Sequence, residues 1–392
     1  MSWAWGTIVD TIAATRIHTN FEPREAPRSH TLSTYSAFPS DDRTCITQLT
    51  PHQLQPMTNS RLQAFFILGS PRSGTSLLSR MIDSHENLVV PNESLVFKMF
   101  SPALSLYGDL DRRSNQERLL RDVLSTRVIQ YWTPPATFDE IAPLIHHSGF
   151  AGVIEALIRS RARHEDLRAW GEKSPGHAYY WQVIRTIFPE AKVIHILRDG
   201  RDVASSIVKA RMGPASYYAA GRMWCDYLDK IEHIRSCSRE DTFFELRYEE
   251  LLSEPAIHLR RICEFLGVPY SESMLRFHKT DTNYQTDATN LENLTKPLIV
   301  SNKEKWRKNL TERQLLEFES VAGDHLDKYG YGRAHSSRRL GAGRLFFARY
   351  VRSPALRVFS RAKDIQGQRE FVNIQWIRLR RRIVNIFRRV AG

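Results

Sequence analysis

Residues 65–76 read FFILGSPRSGTS, and this stretch constrains the fold more than any other part of the chain. The four apolar residues Phe65–Leu68 have the composition of a strand that is buried on both faces. A turn bounded by Gly69 and Gly74 follows, and apolar residues then recur at helical spacing over residues 77–82. A strand, a glycine turn and a helix in this order predict the first unit of an α/β fold.

The same order recurs further along the chain. Residues 192–197 predict a second buried strand before a helix, and residues 242–246 predict a third before a helix at 257–266. A further short strand is expected to end near Lys173. Because strands alternate with helices, we predict a P-loop-like, doubly wound and mostly parallel sheet flanked by helices on both faces. Additional helices are predicted within residues 99–168, 177–188 and 212–237.

The net charge of +13 is concentrated at one end of the chain. Residues 333–392 hold 16 Lys and Arg against Asp364 and Glu370, a net of +14, so the rest of the chain is close to neutral. We predict three parts: a loosely ordered N-terminal extension at 1–60, which is rich in Thr, Ser, Pro and His with weak periodicity, an α/β domain at 61–332, and a basic, amphipathic and helical C-terminal appendage at 333–392.

The glycine turn is built as an anion site. Its sequence is close to the phosphate-loop pattern GxxxxGK[ST], with Thr75 in place of the lysine. Backbone N–H groups at the start of a helix attract anions, and Arg72 adds a planar charge that suits tetrahedral oxyanions. Without the lysine, transfer of a γ-phosphate loses its main positive group. The turn therefore suits a less charged terminal group than a triphosphate carries. The hydroxyl donors are Ser70, Ser73, Thr75 and Ser76.

These residues carry a resemblance to a known family. SPRSGTS resembles the 5′-phosphosulfate loop of sulfotransferases that use 3′-phosphoadenosine-5′-phosphosulfate (PAPS). VIHILRDGRDVASS resembles the family's second element, in which an arginine and a serine eight residues later grip the 3′-phosphate; here these are Arg198 and Ser206, with Arg201 between them. The resemblance is to the tyrosylprotein branch and its bacterial relatives, and it spans residues 65–332.

The resemblance implies two catalytic residues besides Arg72. Glu93 lies 21 positions after Arg72, where the tyrosylprotein branch has its general base; the alternative is a glutamate that flanks the next helix. Lys173 matches a lysine that stabilises charge on the leaving phosphate oxygen, and the alternative is a solvated surface lysine. Acid–base and electrostatic catalysis of this kind needs both groups beside the reacting atoms.

The resemblance also implies residues that hold the nucleotide. The cofactor-binding set is Ser70, Arg72, Ser73, Gly74, Thr75, Ser76, Arg198, Ser206, Tyr248 and Lys305. In the family, the lysine at the position of Lys305 closes over the nucleotide and the tyrosine at that of Tyr248 contacts the adenosine, although Tyr248 also fits a core position. A family serine that assists the transition state falls at Asn290 or Thr289. We predict Trp306 as a packing anchor and His195 as a core histidine.

The resemblance thus implies sulfuryl transfer from PAPS, as co-substrate, to a hydroxyl group on a carbohydrate, lipid, small molecule or peptide. No metal is required in principle, because arginine and lysine can neutralise a sulfuryl group. Two alternatives remain open: a P-loop kinase or NTPase without the usual lysine, and a non-catalytic, membrane-associated nucleotide-binding protein.

The C-terminal residues 371–392 are amphipathic at helical spacing. One interpretation is a helix on an anionic membrane surface; another is a helix that docks on the domain with an arginine-rich exposed face. Non-specific binding of nucleic acid is a weaker third interpretation, and no specific nucleic-acid partner is expected.

The start of the chain has neither a basic n-region nor a small-residue cleavage site. We therefore expect a cytoplasmic protein, either free or peripheral at the inner face of the membrane. The cysteines show no metal-type spacing. All four are expected to be reduced and buried, namely Cys45, Cys225, Cys237 and Cys263.

Overall fold

The computed structural model describes residues 56–57, 62–210, 213–280, 292–335, 340–353 and 365–390. The N-terminal extension at 1–60 therefore lies outside the described residues, apart from residues 56–57. Positions 289 and 290 and Cys45 lie outside them as well.

Within the described residues, five strands form one sheet in which every pairing is parallel. The order across the sheet is β2-β3-β1-β4-β5. The predicted doubly wound, mostly parallel sheet is therefore confirmed. Strand β2 was missed because two residues are too short to show a period. The strands are β1 (Gln63–Leu68), β2 (Leu88–Val89), β3 (Ala169–Glu172), β4 (Lys192–Leu197) and β5 (Phe243–Arg247).

Helices connect and cover the strands. The α-helices are α1 (Thr75–Asp83), α2 (Val96–Phe100), α3 (Arg113–Leu124), α4 (Arg127–Gln130), α5 (Phe138–Ile141), α6 (Gly149–Arg159), α7 (Trp181–Ile187), α8 (Gly200–Ile207), α9 (Tyr217–Ser236), α10 (Tyr248–Ser253), α11 (Pro255–Leu266), α12 (Trp306–Asn309), α13 (Glu312–Lys328), α14 (Ala342–Phe347) and α15 (Ile365–Val390). Short 3₁₀ turns lie at Ser101–Tyr107, Ala142–Leu144, Pro175–Tyr180, Glu240–Thr242, Glu272–Lys279 and Glu292–Thr295, and a π-turn lies at Ala348–Arg352.

Strand β1 is the centre of the core. Phe66 and Leu68 pack into one apolar cluster, whereas Phe65 and Ile67 pack into another on the opposite face. All four side chains are fully buried. Burial of each such side chain stabilises the fold by roughly 1.5–3 kcal/mol. A strand that is covered on both faces is fixed in register, and β1 therefore holds the glycine turn at its carboxyl end in a defined place.

The carboxyl ends of the strands bring the predicted site residues to one edge of the sheet. The glycine turn follows β1, Lys173 follows β3, and Arg198 follows β4. Tyr248 follows β5, and Glu93 lies four residues after β2. Nucleotides bind at this edge in doubly wound sheets.

One of the cysteine expectations was wrong. Cys225 and Cys263 are buried, but Cys237 is exposed. Cys237 follows the last residue of α9, beside Arg235 and Ser236, which are also exposed. Burial also raises the pKa of the Cys225 thiol to about 12 and that of Cys263 to about 11.

Candidate active site

The two predicted anion loops are in direct contact. Nη1 of Arg198 donates a hydrogen bond of 3.1 Å to the carbonyl oxygen of Arg72. Nε of Arg72 donates a hydrogen bond of 2.9 Å to Oγ of Ser206, which lies on α8. This contact is possible because β1 and β4 are neighbours in the sheet. The glycine turn and the Arg198–Ser206 segment therefore form one continuous polar surface.

The glycine turn adopts left-handed backbone conformations at two places. Gly74 has φ 103°, and a Cβ atom there would lie 2.3 Å from the ring of Tyr248, so only glycine fits both the backbone and the space. Arg72 has φ 74°, which costs a residue with a side chain roughly 1–2 kcal/mol. The hydrogen bonds with Arg198 and Ser206 hold Arg72 in this strained conformation, as is common at functional sites.

The four hydroxyl groups of the glycine turn differ in their burial and in their hydrogen-bond partners. Oγ of Ser73 donates a hydrogen bond of 2.6 Å to the carbonyl oxygen of Ser70, inside the turn. Ser70 and Thr75 are buried. Ser76 is half-buried, and its Oγ accepts a hydrogen bond from Lys173. Of the four hydroxyls, Ser73 therefore shapes the turn, whereas Ser76 links the turn to the end of β3.

The site concentrates positive charge. Burial and the nearby charge of Arg198 lower the pKa of Arg72, while the charge of Glu93 opposes this change. Nε of Arg198 is buried and has no hydrogen-bond partner among the described residues. A buried donor without a partner and two adjacent guanidinium groups are both stabilised when an anion binds. The surface thus fits a phosphate or sulfonate group.

Arg198 is held in place by Tyr248, by Asn302 and by Asp202, whose Oδ2 lies 3.5 Å from Nη2 of Arg198. Its guanidinium lies 4.1 Å from the ring centroid of Tyr248, and Nη2 donates a hydrogen bond of 3.0 Å to the carbonyl oxygen of Asn302. Nδ2 of Asn302 in turn donates a hydrogen bond of 2.7 Å to the Tyr248 hydroxyl. Asn302 was not predicted, because only the fold brings a residue 104 positions away to Arg198.

Lys173 is buried beside Glu93. Its side chain is 1% exposed, and Nζ donates a hydrogen bond of 2.7 Å to Oε1 of Glu93 and one of 3.2 Å to Oγ of Ser76. The interpretation of Lys173 as a solvated surface residue was therefore wrong. The glycine turn lacks a lysine of its own, but a lysine from the end of the neighbouring strand β3 reaches it.

A buried network holds Glu93 and Lys173 together. Oε1 of Glu172 accepts hydrogen bonds from the backbone N–H (3.2 Å) and Oγ (2.7 Å) of Ser94 and from Oγ of Ser174 (2.7 Å). Oε2 of Glu172 lies 2.6 Å from Nδ1 of His177. Burial raises the pKa of Glu172, but His177 and the two serines outweigh it, so this pKa lies below its ordinary value. Glu172 thus connects Ser94, which follows Glu93 in the chain, to Ser174, which follows Lys173.

Residues 64–272, more than half of the chain, match the model of the sulfotransferase family. The chain belongs to the sulfotransferase family. The predicted membership of the PAPS-dependent sulfotransferases is thereby confirmed, and the kinase and non-catalytic alternatives are not favoured. As a sulfotransferase, the protein is an enzyme that transfers a sulfuryl group and binds an acceptor.

Individual relatives agree with the family match. Protein-tyrosine sulfotransferase A of Caenorhabditis elegans is 22% identical over 296 residues, which are 72% of this chain and 71% of that protein. The omega-hydroxy-beta-dihydromenaquinone-9 sulfotransferase Stf3 of Mycobacterium bovis is 28% identical over 174 residues, 41% of each chain. The chain spans between 30% and 71% of the length of the first curated relatives that it matches.

A solved structure has the same fold. The sulfotransferase domain of the Synechococcus PCC 7002 olefin synthase superposes with a TM-score of 0.51 at 23% identity, and the match covers 71% of this chain and 98% of that domain. At this identity the likeness concerns the arrangement of strands and helices only.

Three further residues singled out from the sequence are Lys305, Trp306 and Arg201. Lys305 is exposed at the start of α12. The next residue, Trp306, is buried, and its backbone N–H donates a hydrogen bond of 2.7 Å to Oδ1 of Asp202. Arg201 stacks on Trp306 at 3.9 Å and is paired with Asp199. Trp306 therefore packs as expected, and Arg201 is buried in ion pairs rather than facing the glycine turn.

His195 has the position predicted for a core residue. Its side chain is buried in β4, and Nδ1 lies 2.8 Å from Oε2 of Glu245. Among the described residues, no three His, Cys, Asp or Glu side chains form a group that could hold a metal ion. Transfer without a metal stays a prediction.

Proposed function

We propose that this sulfotransferase binds PAPS across the two joined loops and transfers its sulfuryl group to a hydroxyl acceptor. The observation that carries the proposal is the contact between Arg198 and Arg72, at 3.1 Å, which makes one surface from two anion-binding elements. Arg198 and Ser206 would hold the 3′-phosphate. Arg72, Ser76 and the backbone of the turn would hold the 5′-phosphosulfate, at the N-terminus of α1.

The catalytic pair is Glu93 and Lys173. The carboxylate of Glu93 would take the proton from the acceptor hydroxyl, and the acceptor oxygen would then form a bond to sulfur. The bond from sulfur to the 5′-phosphate oxygen breaks at the same time, which leaves adenosine 3′,5′-bisphosphate. The Lys173 ammonium would stabilise the charge that grows on this leaving oxygen. Its contact with Ser76 supports the assignment, because it places the cation beside the turn.

Tyr248 and Lys305 would complete the nucleotide site. The Tyr248 ring is buried and packs against both Gly74 and Arg198, so it can fix the distance between the two loops that would hold the nucleotide. Lys305 is exposed three residues after Asn302, whose carbonyl oxygen already binds Arg198. This position supports a lysine that closes over bound nucleotide.

The acceptor is proposed to be an alcohol or phenol. The names of two relatives specify oxygen-bearing acceptors, a protein tyrosine in one case and a hydroxylated menaquinone in the other. A carboxylate base suits both, because each hydroxyl must lose a proton during transfer.

Two measurements test the proposal. Isothermal titration should show that the purified protein binds adenosine 3′,5′-bisphosphate; binding of ATP–Mg²⁺ without any affinity for the bisphosphate would contradict it. Transfer of ³⁵S from labelled PAPS into a host extract, separated into lipid, glycan and protein, should then label one fraction. The same extract with a Glu93→Gln variant should stay unlabelled.

A further inference from the structure

The C-terminal helix α15 is attached to the domain through one face. Ile374 and Ile377 are buried in the core cluster that contains β1. Nε of Arg381 lies 2.5 Å from Oδ2 of Asp122, and Nδ2 of Asn385 donates a hydrogen bond of 2.9 Å to the carbonyl oxygen of Leu106. The helix is therefore a fixed part of the described structure.

The opposite face of α15 is apolar and exposed. Six side chains recur there at intervals of three, four or one residue and are between 43% and 69% exposed. With about 100° of rotation per residue, this spacing places them on one stripe, turned away from Ile374 and Ile377. The stripe is Val372, Trp376, Leu379, Ile383, Ile386 and Phe387. A surface helix normally buries its apolar residues; α15 buries Ile374 and Ile377 but leaves this second apolar stripe exposed.

This arrangement corrects one of the three interpretations made from the sequence. The helix docks on the domain, as one of them expected, but its exposed face carries large apolar side chains as well as Arg369, Arg380 and Arg382. Two of its arginines, Arg380 and Arg381, are paired with Asp122 on α3. These two arginines thus help to hold the helix on the domain, whereas the large apolar side chains face outward. An exposed apolar patch of this kind marks an interaction site.

The charge of the helix indicates the occupant of the stripe. Residues 365–390 contain seven arginines and one glutamate, and Arg369 and Arg382 are exposed. A second copy of the chain would bring two strongly positive segments together, and a nucleic acid would offer nothing to the apolar stripe. An anionic lipid surface offers both acyl chains and negative headgroups. Among the described residues, no helix is long and apolar enough to span a bilayer.

We propose that the apolar stripe of α15 lies in the surface of an anionic bilayer while the other face of the helix stays docked on the domain. Trp376 and Phe387 enter the boundary between headgroups and acyl chains, where aromatic side chains are favoured. The flanking arginines meet the headgroups. This surface is separate from the proposed PAPS site, so each can be tested without the other.

Vesicle sedimentation of the full-length protein tests this proposal. The wild type should sediment with phosphatidylcholine vesicles that contain phosphatidylserine, and less so with pure phosphatidylcholine or at high salt. A triple variant, Trp376→Gln, Leu379→Gln and Ile383→Gln, should lose more than about tenfold of this binding, because three exposed apolar side chains that would insert into the bilayer are removed. The matched control, Gln368→Ala with Gln375→Ala, changes exposed polar residues of the same helix and should bind as the wild type does.

Bisphosphate binding serves as the check on folding. The triple variant should keep the wild-type affinity for adenosine 3′,5′-bisphosphate, since its substitutions are all exposed on α15. Equal vesicle binding by the triple variant and the wild type would overturn the proposal, as would a wild type that binds neither kind of vesicle. A concentration-dependent dimer in sedimentation velocity that the triple variant abolishes would assign the stripe to a second copy instead.

Discussion

Nζ of Lys173 lies 2.7 Å from Oε1 of Glu93, and the lysine side chain is almost completely buried. A buried ammonium needs a partner, because an unpaired charge in the protein interior is costly. Glu93 is such a partner, and the hydroxyl of Ser76 is another. The proposed base, Glu93, and the proposed leaving-group cation, Lys173, are therefore in direct contact, and each stabilises the charge of the other.

Glu93→Gln should abolish turnover and keep nucleotide binding. Loss of a general base lowers kcat by about 10²–10⁴-fold, whereas the affinity for adenosine 3′,5′-bisphosphate should change little. The control is Glu117→Gln, whose carboxylate is 35% exposed and paired with Arg113, much as Glu93 is 35% exposed and paired with Lys173. If both variants turn over equally, Glu93 is not the base.

Arg198→Lys should weaken nucleotide binding despite the retained charge. A lysine cannot reproduce the planar fork that contacts Arg72 and Asn302 at once. We expect the affinity for adenosine 3′,5′-bisphosphate to fall by about 10- to 100-fold, the size of a lost charged hydrogen bond. Arg235→Lys, on α9 and paired with Glu245, is the control. Calorimetric titration of both variants decides the point; equal affinities would refute the assignment.

Lys305→Ala should raise the KM for PAPS more than it lowers kcat, because the proposed role is to hold the nucleotide. Arg307→Ala removes a positive charge two positions away that is also exposed, and it should leave KM unchanged. Steady-state kinetics with varied PAPS give both constants. A similar rise in KM for the two variants would indicate a general charge effect rather than a specific contact.

Gly74→Ala should destabilise the protein by at least about 2 kcal/mol, because alanine is strained at φ 103° and its Cβ would collide with Tyr248. Gly343→Ala, in the exposed helix α14 with nothing near its Cβ, should change stability by less than about 1 kcal/mol. Urea unfolding of both variants measures the difference. A Gly74→Ala protein as stable as the wild type would show that the turn has room that the structure does not display.

Glu172→Gln should cost stability in a pH-dependent way. The pKa of Glu172 is lower in the folded protein than its ordinary value of 4.5, so its carboxylate stabilises the fold above about pH 4.5. This contribution is lost as the pH falls through the folded-state pKa. At pH 7 we expect a loss of about 1–3 kcal/mol, the cost of leaving buried hydrogen-bond donors such as Ser94 and Ser174 without their carboxylate acceptor. The difference between wild type and variant should shrink below pH 4.5; a constant difference would contradict it.

The sequence predicted the elements that carry local patterns. Residues 192–197 form β4 as expected, and the turn at 69–74 lies between β1 and α1. These elements are readable because burial on both faces demands continuous apolar residues, and a left-handed turn demands glycine. The family resemblance added the positions of Arg198 and Lys173, whose spacing alone specifies no contact.

The remaining parts of the site depend on contacts between distant segments. Asn302 reaches Arg198 and Tyr248 across the fold, and nothing in the residues around it indicates this. The contact between buried Glu172 and His177 could not be predicted from the sequence either, because each reads as an ordinary polar residue beside a strand. For α15, periodicity indicated two faces, but only the packing of Ile374 decided which face is turned inward.

The cation that serves the glycine turn comes from a different strand than the turn itself. Lys173 moves with β3, which is hydrogen-bonded to β1, and its reach to Ser76 is set by the register of Phe66 opposite Glu172. A different register between β3 and β1 would move the Lys173 ammonium relative to bound PAPS, although the sequence of the glycine turn stayed the same. In this arrangement, the register between β1 and β3 sets where the Lys173 ammonium lies relative to the bond that breaks in the proposed transfer.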